Sequence, residues 1–193
     1  SIYVADDNPV SEAHYRARFY FNPNGLYLEE YARFPLFYTT YERTQIKLVD
    51  DEGEYWLQGV ITDDSNNEYE INVEITDNWH CVEMEVDSIN GTFELLVDGV
   101  SVNELTGLDI DTLRVNAAYL GAFYVPANTS GTIYFDNFAS GRGDVIGRET
   151  DDGVLDPGVI FTDDFDISTG SDSDLGAWSG AVTDSGDLRT GPD

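Results

Sequence analysis

The sequence predicts an all-β protein in which two antiparallel sheets pack against each other as a sandwich or jelly roll. Apolar and polar residues alternate in segments such as HYRARFYF (14–21) and EYEINVEI (68–75), the two-residue period of half-buried strands. Turn sequences such as DEG (51–53) and NG (90–91) separate the segments, and no segment sustains a helical period. About ten short strands in one domain are typical of these two architectures.

The remaining candidate strands follow one another along the chain up to residue 138. In chain order they are FPLFYTTY (34–41), TQIKLV (44–49), YWLQGVIT (55–62), CVEMEV (81–86), TFELLV (92–97), TLRVNAAYL (112–120) and GTIYFDNF (131–138). After them the chain is rich in Gly and Asp and poor in apolar residues, which is typical of a linker. We therefore expect a β-sandwich body at 1–140, an acidic linker at 141–159 and a tail at 160–193.

The charge of the chain limits its partners. The 38 Asp and Glu residues outnumber nine Lys and Arg residues, giving a formal net charge of −29. Such a surface repels phosphate groups, so we expect no nucleic-acid partner and no direct membrane insertion. Carboxylates at this density require screening by salt or binding of divalent cations, and calcium prefers carboxylate oxygens. Both conditions indicate a secreted, extracellular or cell-surface protein, and the single Cys81 excludes an internal disulfide.

A stretch of about thirty residues from Ile75, ITDNWHCVEMEVDSINGTFELLVDGVSV, resembles the laminin G-like branch of the concanavalin A-like lectin and glucanase superfamily. The resemblance rests on a Trp-His-x-Val strand, a hairpin and a strand that ends in Val-Asp-Gly, with matching residues Trp79, His80, Val82, Val97, Asp98 and Gly99. It implies a concanavalin A-like jelly roll. We expect Trp79 and Val97 in the core and no clear partner for either histidine. Asp98-Gly99 forms a tight turn that requires positive φ.

The tail resembles the first strand of such jelly rolls, which often open with an acidic DDFE-like strand, a Gly- and Ser-rich loop and an aromatic residue. Asp163, Asp164, Phe165 and Trp178 occupy those places, with Asp166 where glutamate is usual. In these domains the first strand lies beside the last, and IYFDNF (133–138) resembles the last. The resemblance therefore implies that the body lacks its first strand and that the tail supplies an added strand.

Strand donation follows from that arrangement. We expect residues 160–167 to pair with the edge at Ile133, Phe135 and Phe138, with Phe161 and Phe165 buried, because an unpaired hydrophobic edge accepts a further strand. The linker is long enough to reach the chain's own sandwich or a neighbouring molecule. We favour the neighbour, because a head-to-tail contact that does not close produces a filament.

A calcium site is expected between the first and last strands. The resemblance places its ligands at Asp136 and at Asp164 or Asp166, with backbone carbonyls completing a shell of six to eight oxygens. The alternative is simple surface acidity.

Glycoside hydrolysis and sugar binding are two further activities found in this superfamily. Glu83, Glu85 and Asp87 alternate on one strand, as carboxylates do in laminarinase-type glycosidases of the superfamily, although in so acidic a chain we expect them to face solvent. Sugar binding would use exposed aromatic rings; the candidates are Trp56, Tyr119, Tyr124 and Trp178.

The predicted function is a non-catalytic extracellular building block, stabilised by calcium, that forms a homo-polymer through its tail as a filament or surface layer. A calcium-dependent, lectin-like carbohydrate-binding module with glycan partners is the first alternative, and a glycosidase is the second.

Overall fold

The computed structural model of the protein describes residues 2–148, 159–163 and 188–190. Within these residues there are thirteen β-strands, one 3-10 turn at Thr40–Glu42 and no α-helix. The described part contains no helix long and apolar enough to cross a membrane. The strands form one seven-stranded and one six-stranded sheet, and all neighbouring strands run antiparallel. The predicted two-sheet antiparallel jelly-roll sandwich is confirmed.

Each sheet combines strands from distant parts of the chain. The seven-stranded sheet has the spatial order β13 (Leu188–Thr190), β1 (Ile2–Asp6), β10 (Ala118–Ala122), β3 (Arg33–Thr39), β4 (Thr44–Asp51), β5 (Glu54–Thr62) and β6 (Glu68–Ile75). The six-stranded sheet has the order β12 (Val159–Asp163), β11 (Tyr134–Gly141), β2 (His14–Asn22), β7 (His80–Asp87), β8 (Thr92–Val97) and β9 (Val100–Leu105).

The core lies between the two sheets and is filled by every second residue of the strands. Phe37 of β3 stacks on Phe19 of β2, with ring centroids 5.9 Å apart, and on Phe138 of β11, at 6.4 Å. β5 carries Gly59 where it faces β8 across the core, and a Cβ atom there would lie 3.3 Å from the Phe93 ring. The alternation seen in the sequence is thus the alternation between core and surface.

The hairpin between β7 and β8 and the turn that follows match the motif on which the resemblance rests. Asp98 and Gly99 both have positive φ, 54° and 79°, as a tight two-residue turn requires. Asp98 also accepts a hydrogen bond from the backbone nitrogen of Cys81 at 2.9 Å. The motif therefore joins the start of β7 to the end of β8.

The C-terminal segment supplies one outer strand to each sheet. β12 pairs with β11 of the same chain and β13 pairs with β1. The residues opposite β12 are Phe138, Ala139, Ser140 and Gly141, whereas Ile133 precedes β11 and packs against the core with Phe135. Of the three predicted edge residues, Phe138 alone is opposite β12. Phe161 lies opposite Ser140 in the ladder, and Phe165 falls outside the described residues.

Candidate functional site

The outer face of the seven-stranded sheet brings aromatic and amide side chains together. These residues alternate along their strands with core residues such as Ile46, Leu48 and Leu57, so their side chains lie on the side facing away from the other sheet. We call this surface the tyrosine face. It consists of Tyr3, Tyr38, Gln45, Lys47, Trp56, Gln58, Asn72 and Tyr119.

One half of the tyrosine face is an aromatic cluster. Tyr38 and Tyr119 occupy facing positions on β3 and β10 and stack with centroids 4.7 Å apart and planes 11° apart. Tyr3 meets Tyr119 edge-on at 5.4 Å, and Phe123 meets Tyr38 edge-on at 4.7 Å. Tyr124 extends the cluster past the end of β10, and its hydroxyl donates to the backbone oxygen of Arg33 at 2.9 Å. The result is a multi-ring surface fixed by ring contacts.

The other half carries polar groups that are buried although they face away from the core. Gln58 is 4% exposed, and Lys47 and Gln45 are each 8% exposed. The Gln58 amide nitrogen donates to Asn72 Oδ1 at 3.0 Å, and the Gln45 amide nitrogen donates to the Glu42 carbonyl at 2.8 Å. Gln58 Oε1 is buried and has no hydrogen-bond partner among the described residues. A buried oxygen in that state has unused capacity to accept a hydrogen bond.

The same burial shifts the titration of this face. Desolvation raises the pKa of Tyr38 far above its ordinary value, and the neighbouring Tyr3 and Tyr119 add to the rise. Desolvation lowers the pKa of Lys47, while the nearby carboxylate of Glu68 opposes that change. The tyrosine face therefore presents neutral hydroxyl, indole and amide groups together with one partly desolvated ammonium group, and the carboxylates of Glu70 and Glu74 lie beside Asn72 on the same face of β6.

The outer face of the six-stranded sheet holds an ion-pair network. Arg16 donates to Glu83 at 3.0 Å and to Glu85 at 2.5 Å, and Glu85 also contacts His14. Glu83 is 2% exposed. The expectation that these carboxylates face solvent is wrong for Glu83, because β2 places an arginine directly beside it. The expectation that His14 lacks a partner is also wrong.

Residues from the start of the predicted linker lie over this network. The backbone nitrogens of Ile146 and Gly147 each donate to Glu83 at 2.9 Å, and Arg16 Nε donates to the Gly143 carbonyl at 3.1 Å. Glu83 therefore has both carboxylate oxygens hydrogen-bonded inside the protein. A glycosidase requires two carboxyl groups flanking an accessible sugar bond, which this enclosed position does not provide.

His80 has a structural partner, which corrects the prediction that it has none. Its Nδ1 lies 2.8 Å from Asp98 Oδ2, and its Nε2 lies 3.0 Å from the Thr76 carbonyl. The side chain is buried at 8% exposure. Both ring nitrogens are thus used within the β7 to β8 motif, and Val97 at the end of β8 packs against the core.

Trp79 lies on the surface. The prediction that it belongs to the core is therefore wrong. It is 48% exposed and stacks on Tyr134, which is 47% exposed, with centroids 6.4 Å apart and planes 25° apart. Trp79 directly precedes β7 and continues the alternation of that strand. Its side chain therefore lies on the same side of the sheet as Cys81 and Glu83, away from the core residue Val82. We call Trp79 and Tyr134 the paired-ring platform. It lies on the outer face of the six-stranded sheet, on the opposite side of the sandwich from the tyrosine face.

Asp136, the first predicted calcium ligand, stands opposite Tyr20 in the ladder of β11 and β2. Asp164 and Asp166, its predicted co-ligands, lie outside the described residues.

The structure places a different set of carboxylates close together. Oxygens of Asp64, Asp109 and Asp111 all lie within 4.8 Å of one another. Asp64 already accepts hydrogen bonds from Arg43 at 2.7 Å and Thr112 at 2.5 Å. Burial raises the pKa of Asp64, but these hydrogen bonds outweigh it and lower the pKa to about 2. The set offers hard oxygen ligands of the kind calcium binds.

A separate open pocket of about 770 Å³ lies at one end of the sandwich. Loop residues 25–30, the turn between β4 and β5 and the end of β6 form its walls. Its carboxylates are Glu30, Asp50, Glu52, Glu54, Glu74 and Asp77. This pocket is therefore strongly acidic.

Three of the four aromatic residues named from the sequence for sugar binding belong to or adjoin the tyrosine face. They are Trp56, Tyr119 and Tyr124; Trp178 lies outside the described residues. Three residues of the tyrosine face were not predicted from the sequence: Tyr38, Lys47 and Gln58. The signal was present in TQIKLV and YWLQGVIT, where Gln45 and Lys47, and Trp56 and Gln58, occupy every second position.

No family model matches the sequence, and no curated protein matches it. Solved structures do resemble the fold. A native heptameric SAP-like pentraxin from Limulus polyphemus superposes with a TM-score of 0.52 at 10% identity, over 86% of this chain and 90% of that chain. A botulinum neurotoxin type C structure gives 0.51 at 9% identity, over 70% and 34%. A tryptophan-to-alanine mutant of HCR/D gives 0.50 at 12% identity, over 71% and 35%.

These structures share the jelly-roll sandwich, and at such identities the likeness concerns the fold alone. The present chain spans about a third of the neurotoxin and HCR/D chains. The concanavalin A-like type of fold is supported, whereas the laminin G-like branch is not confirmed and stays a prediction.

Proposed function

We propose that the protein is a secreted, non-catalytic β-sandwich that binds neutral glycans on its tyrosine face. The observation that carries the proposal is the combination, on one outer face, of stacked tyrosines with buried amide groups and an oxygen that lacks a partner. Aromatic rings cover the apolar faces of pyranose rings, while a few convergent polar groups fix the orientation of a ligand. The tyrosine face has both components.

The polar half of the face indicates what the ligand offers. Gln58 Oε1 is buried without a partner among the described residues, and a sugar hydroxyl would supply a donor without adding charge once the neighbouring side chains move to admit it. Lys47 Nζ is a partly desolvated donor that can bond to a sugar hydroxyl oxygen. The net charge of −29 disfavours sialylated or sulfated glycans. Neutral hexose-containing oligosaccharides are the ligand class that meets these conditions.

The fold comparisons support a binding role in general terms. For one structural neighbour, botulinum neurotoxin type C, cell entry is described as dependent on interaction with two ganglioside molecules. Glycan recognition on a sandwich of this shape is consistent with that description. The tyrosine face of this chain is argued from its own residues.

The test is a neutral-glycan array, followed by calorimetry with the best oligosaccharide. Tyr119→Ala removes the central ring of the cluster and Gln58→Leu removes the unpartnered oxygen, and each should weaken binding at least about tenfold, or about 1.4 kcal/mol. Tyr31→Ala is the matched control, because Tyr31 is 62% exposed on a loop outside the face. Equal affinity of all three variants and the wild type would refute the assignment.

Head-to-tail assembly is the second candidate, and it would use β12 and β13. Both outer strands come from the C-terminal segment, and a strand added at a sheet edge can come from the same chain or from another copy. In the structure the pairing is within one chain. Exchange between copies would turn the same pairing into a polymer.

Deletion of residues 159–193 distinguishes the two arrangements. The truncated protein should bind a synthetic peptide of residues 157–168, and the full-length protein should form oligomers at high concentration in calcium. Oligomers formed by the truncated protein alone would contradict strand exchange. A full-length protein that remains monomeric under all conditions would assign β12 to its own sandwich.

A further inference from the structure

We propose that the paired-ring platform is a second glycan-binding site, for one or two neutral pyranose rings, on the side of the sandwich opposite the tyrosine face. Among the ring contacts within the described residues, Trp79 with Tyr134 is the pair in which both members are exposed. Their ring planes differ by 25° with centroids 6.4 Å apart, and about half of each side chain is open to solvent, so the pair offers exposed aromatic surface held by a ring contact. Such a surface fits the apolar face of a sugar ring.

The framework holds the platform in place. Tyr134 stands opposite Asn22 in the ladder of β11 and β2, and Trp79 directly precedes β7 on the other side of β2. Tyr134 therefore lies on β11 and Trp79 lies at the entry to β7, with β2 between them. A rigid sheet positions binding groups more precisely than a loop, so little ordering is required when a sugar binds.

The surroundings limit the size of the ligand. The apolar surface ends at the two rings, because neighbouring chain positions carry Asn22, Asn24, Asp77 and Asn78. Asn24 donates to the Thr132 carbonyl at 3.2 Å and Asp77 accepts from the Gly25 nitrogen at 3.0 Å. A protein partner normally covers about 800 Å² of each surface around an apolar centre, whereas two rings bordered by amides match an oligosaccharide.

The charge of the surroundings selects a neutral sugar. Asp77 lies two residues before Trp79, and Asp136 lies two residues after Tyr134 on the same strand face. Carboxylates at this distance repel sialic acid, uronic acids and sulfate groups. The platform therefore takes neutral pyranoses.

Two sites on opposite faces give one molecule the ability to bridge two polysaccharide chains. The platform's own binding is independent of the tyrosine face, but bridging rests on the proposed function. Simultaneous engagement of two sites on one polymer network raises overall avidity well above either single affinity. Bridging would make the protein a cross-linker of a glycan matrix.

Affinity electrophoresis tests the platform in gels that contain galactomannan, mixed-linkage β-glucan or xylan. Trp79→Ala and Tyr134→Ala should each reduce retardation of the full-length protein, with the apparent affinity falling about tenfold. Tyr31→Ala is the control. Because Trp79 is half exposed, its variant should melt at the wild-type temperature, which excludes unfolding as the cause.

Tyr119→Ala, run in the same gels, separates this proposal from the proposed function. Loss of retardation with Tyr119→Ala while Trp79→Ala migrates as wild type would overturn the platform and leave the tyrosine face standing. Loss of retardation with Trp79→Ala while Tyr119→Ala migrates as wild type would support the platform and refute the tyrosine face. Wild-type protein that migrates freely in every gel would overturn the platform as a neutral-glycan site.

Bridging has its own readout, the turbidity of a polysaccharide solution mixed with protein. Wild-type protein should precipitate the polymer that retards it, whereas Trp79→Ala and Tyr119→Ala should each bind without precipitation. Precipitation that persists in both variants would contradict bridging through these two faces.

Discussion

Replacement of Glu83 by glutamine tests whether this carboxylate is a structural or a catalytic group. Its oxygens accept hydrogen bonds from Arg16 at 3.0 Å and from the backbone nitrogens of Ile146 and Gly147 at 2.9 Å each. The amide would direct an N–H group toward donors and leave the buried Arg16 without its full counter-charge. Removing one member of a buried ion pair typically costs about 3–5 kcal/mol. We expect the free energy of unfolding of Glu83→Gln to fall by about that amount.

Urea denaturation measures this loss, and two further proteins make it specific. Glu104→Gln, an exposed strand position, should stay within about 0.5 kcal/mol of wild type. The double variant Arg16→Met with Glu83→Leu should lose less than the sum of its single variants, with a coupling of about 1–3 kcal/mol. A Glu83→Gln protein as stable as Glu104→Gln would refute the structural role, and loss of a glycosidase activity at unchanged stability would restore the catalytic one.

Four other predictions concern stability. Trp79→Ala should cost below about 1 kcal/mol and Phe93→Ala about 3–5 kcal/mol in urea unfolding, because Trp79 is 48% exposed and the Phe93 ring is fully buried. Gly91→Ala should lower the free energy of unfolding by about 1–3 kcal/mol, since its φ is +67° and a Cβ would lie 2.6 Å from a backbone oxygen; a neutral effect would contradict the loop geometry. Burial raises the pKa of Asp6, so the stabilising protonated form of the carboxyl group is lost as pH rises through the folded-state pKa. The melting temperature of Asp6→Asn should therefore rise relative to that of the wild type between about pH 4 and pH 8. A difference in melting temperature that stays constant over this range would contradict the prediction. Calcium at a hundredfold excess over its dissociation constant should add about 2.7 kcal/mol to the free energy of unfolding. Two results would contradict a calcium site at Asp64, Asp109 and Asp111: a melting temperature that is the same in calcium and in chelator, or an Asp109→Asn variant that melts in calcium at the wild-type temperature.

The sheets could be predicted because the core imposes a two-residue period that is local in sequence. In β7 the inward residues Val82, Met84 and Val86 are fully buried, and their spacing is visible without any partner strand. The same parity assigns Trp79 to the outer face. The prediction that placed Trp79 in the core followed the motif resemblance and overlooked parity. Trp79 lies on the outer face because a residue directly before a strand continues that strand's alternation between core and surface.

Contacts between distant strands could not be predicted from local pattern. Glu83 looks like any exposed carboxylate in an acidic chain until β2 brings Arg16 beside it, 67 residues away in sequence. His80 acquires Asp98 through the hairpin, and Asp64 meets Asp109 through two separate loops. Register and loop packing set these contacts, and neither is fixed by the two-residue period alone.

The tyrosine face carries a buried polar group without a partner among the described residues, and this feature indicates where a ligand binds. On the six-stranded sheet, Arg16 and Glu83 satisfy each other and are covered by residues 143–147, so their hydrogen-bonding capacity serves the fold. On the tyrosine face, Gln58 Oε1 is buried without a partner among the described residues, and Lys47 is desolvated. Leaving buried polar groups unsatisfied lowers stability. A ligand that reaches Gln58 Oε1 and supplies the missing hydrogen bond regains that free energy on binding, which favours recognition on the tyrosine face.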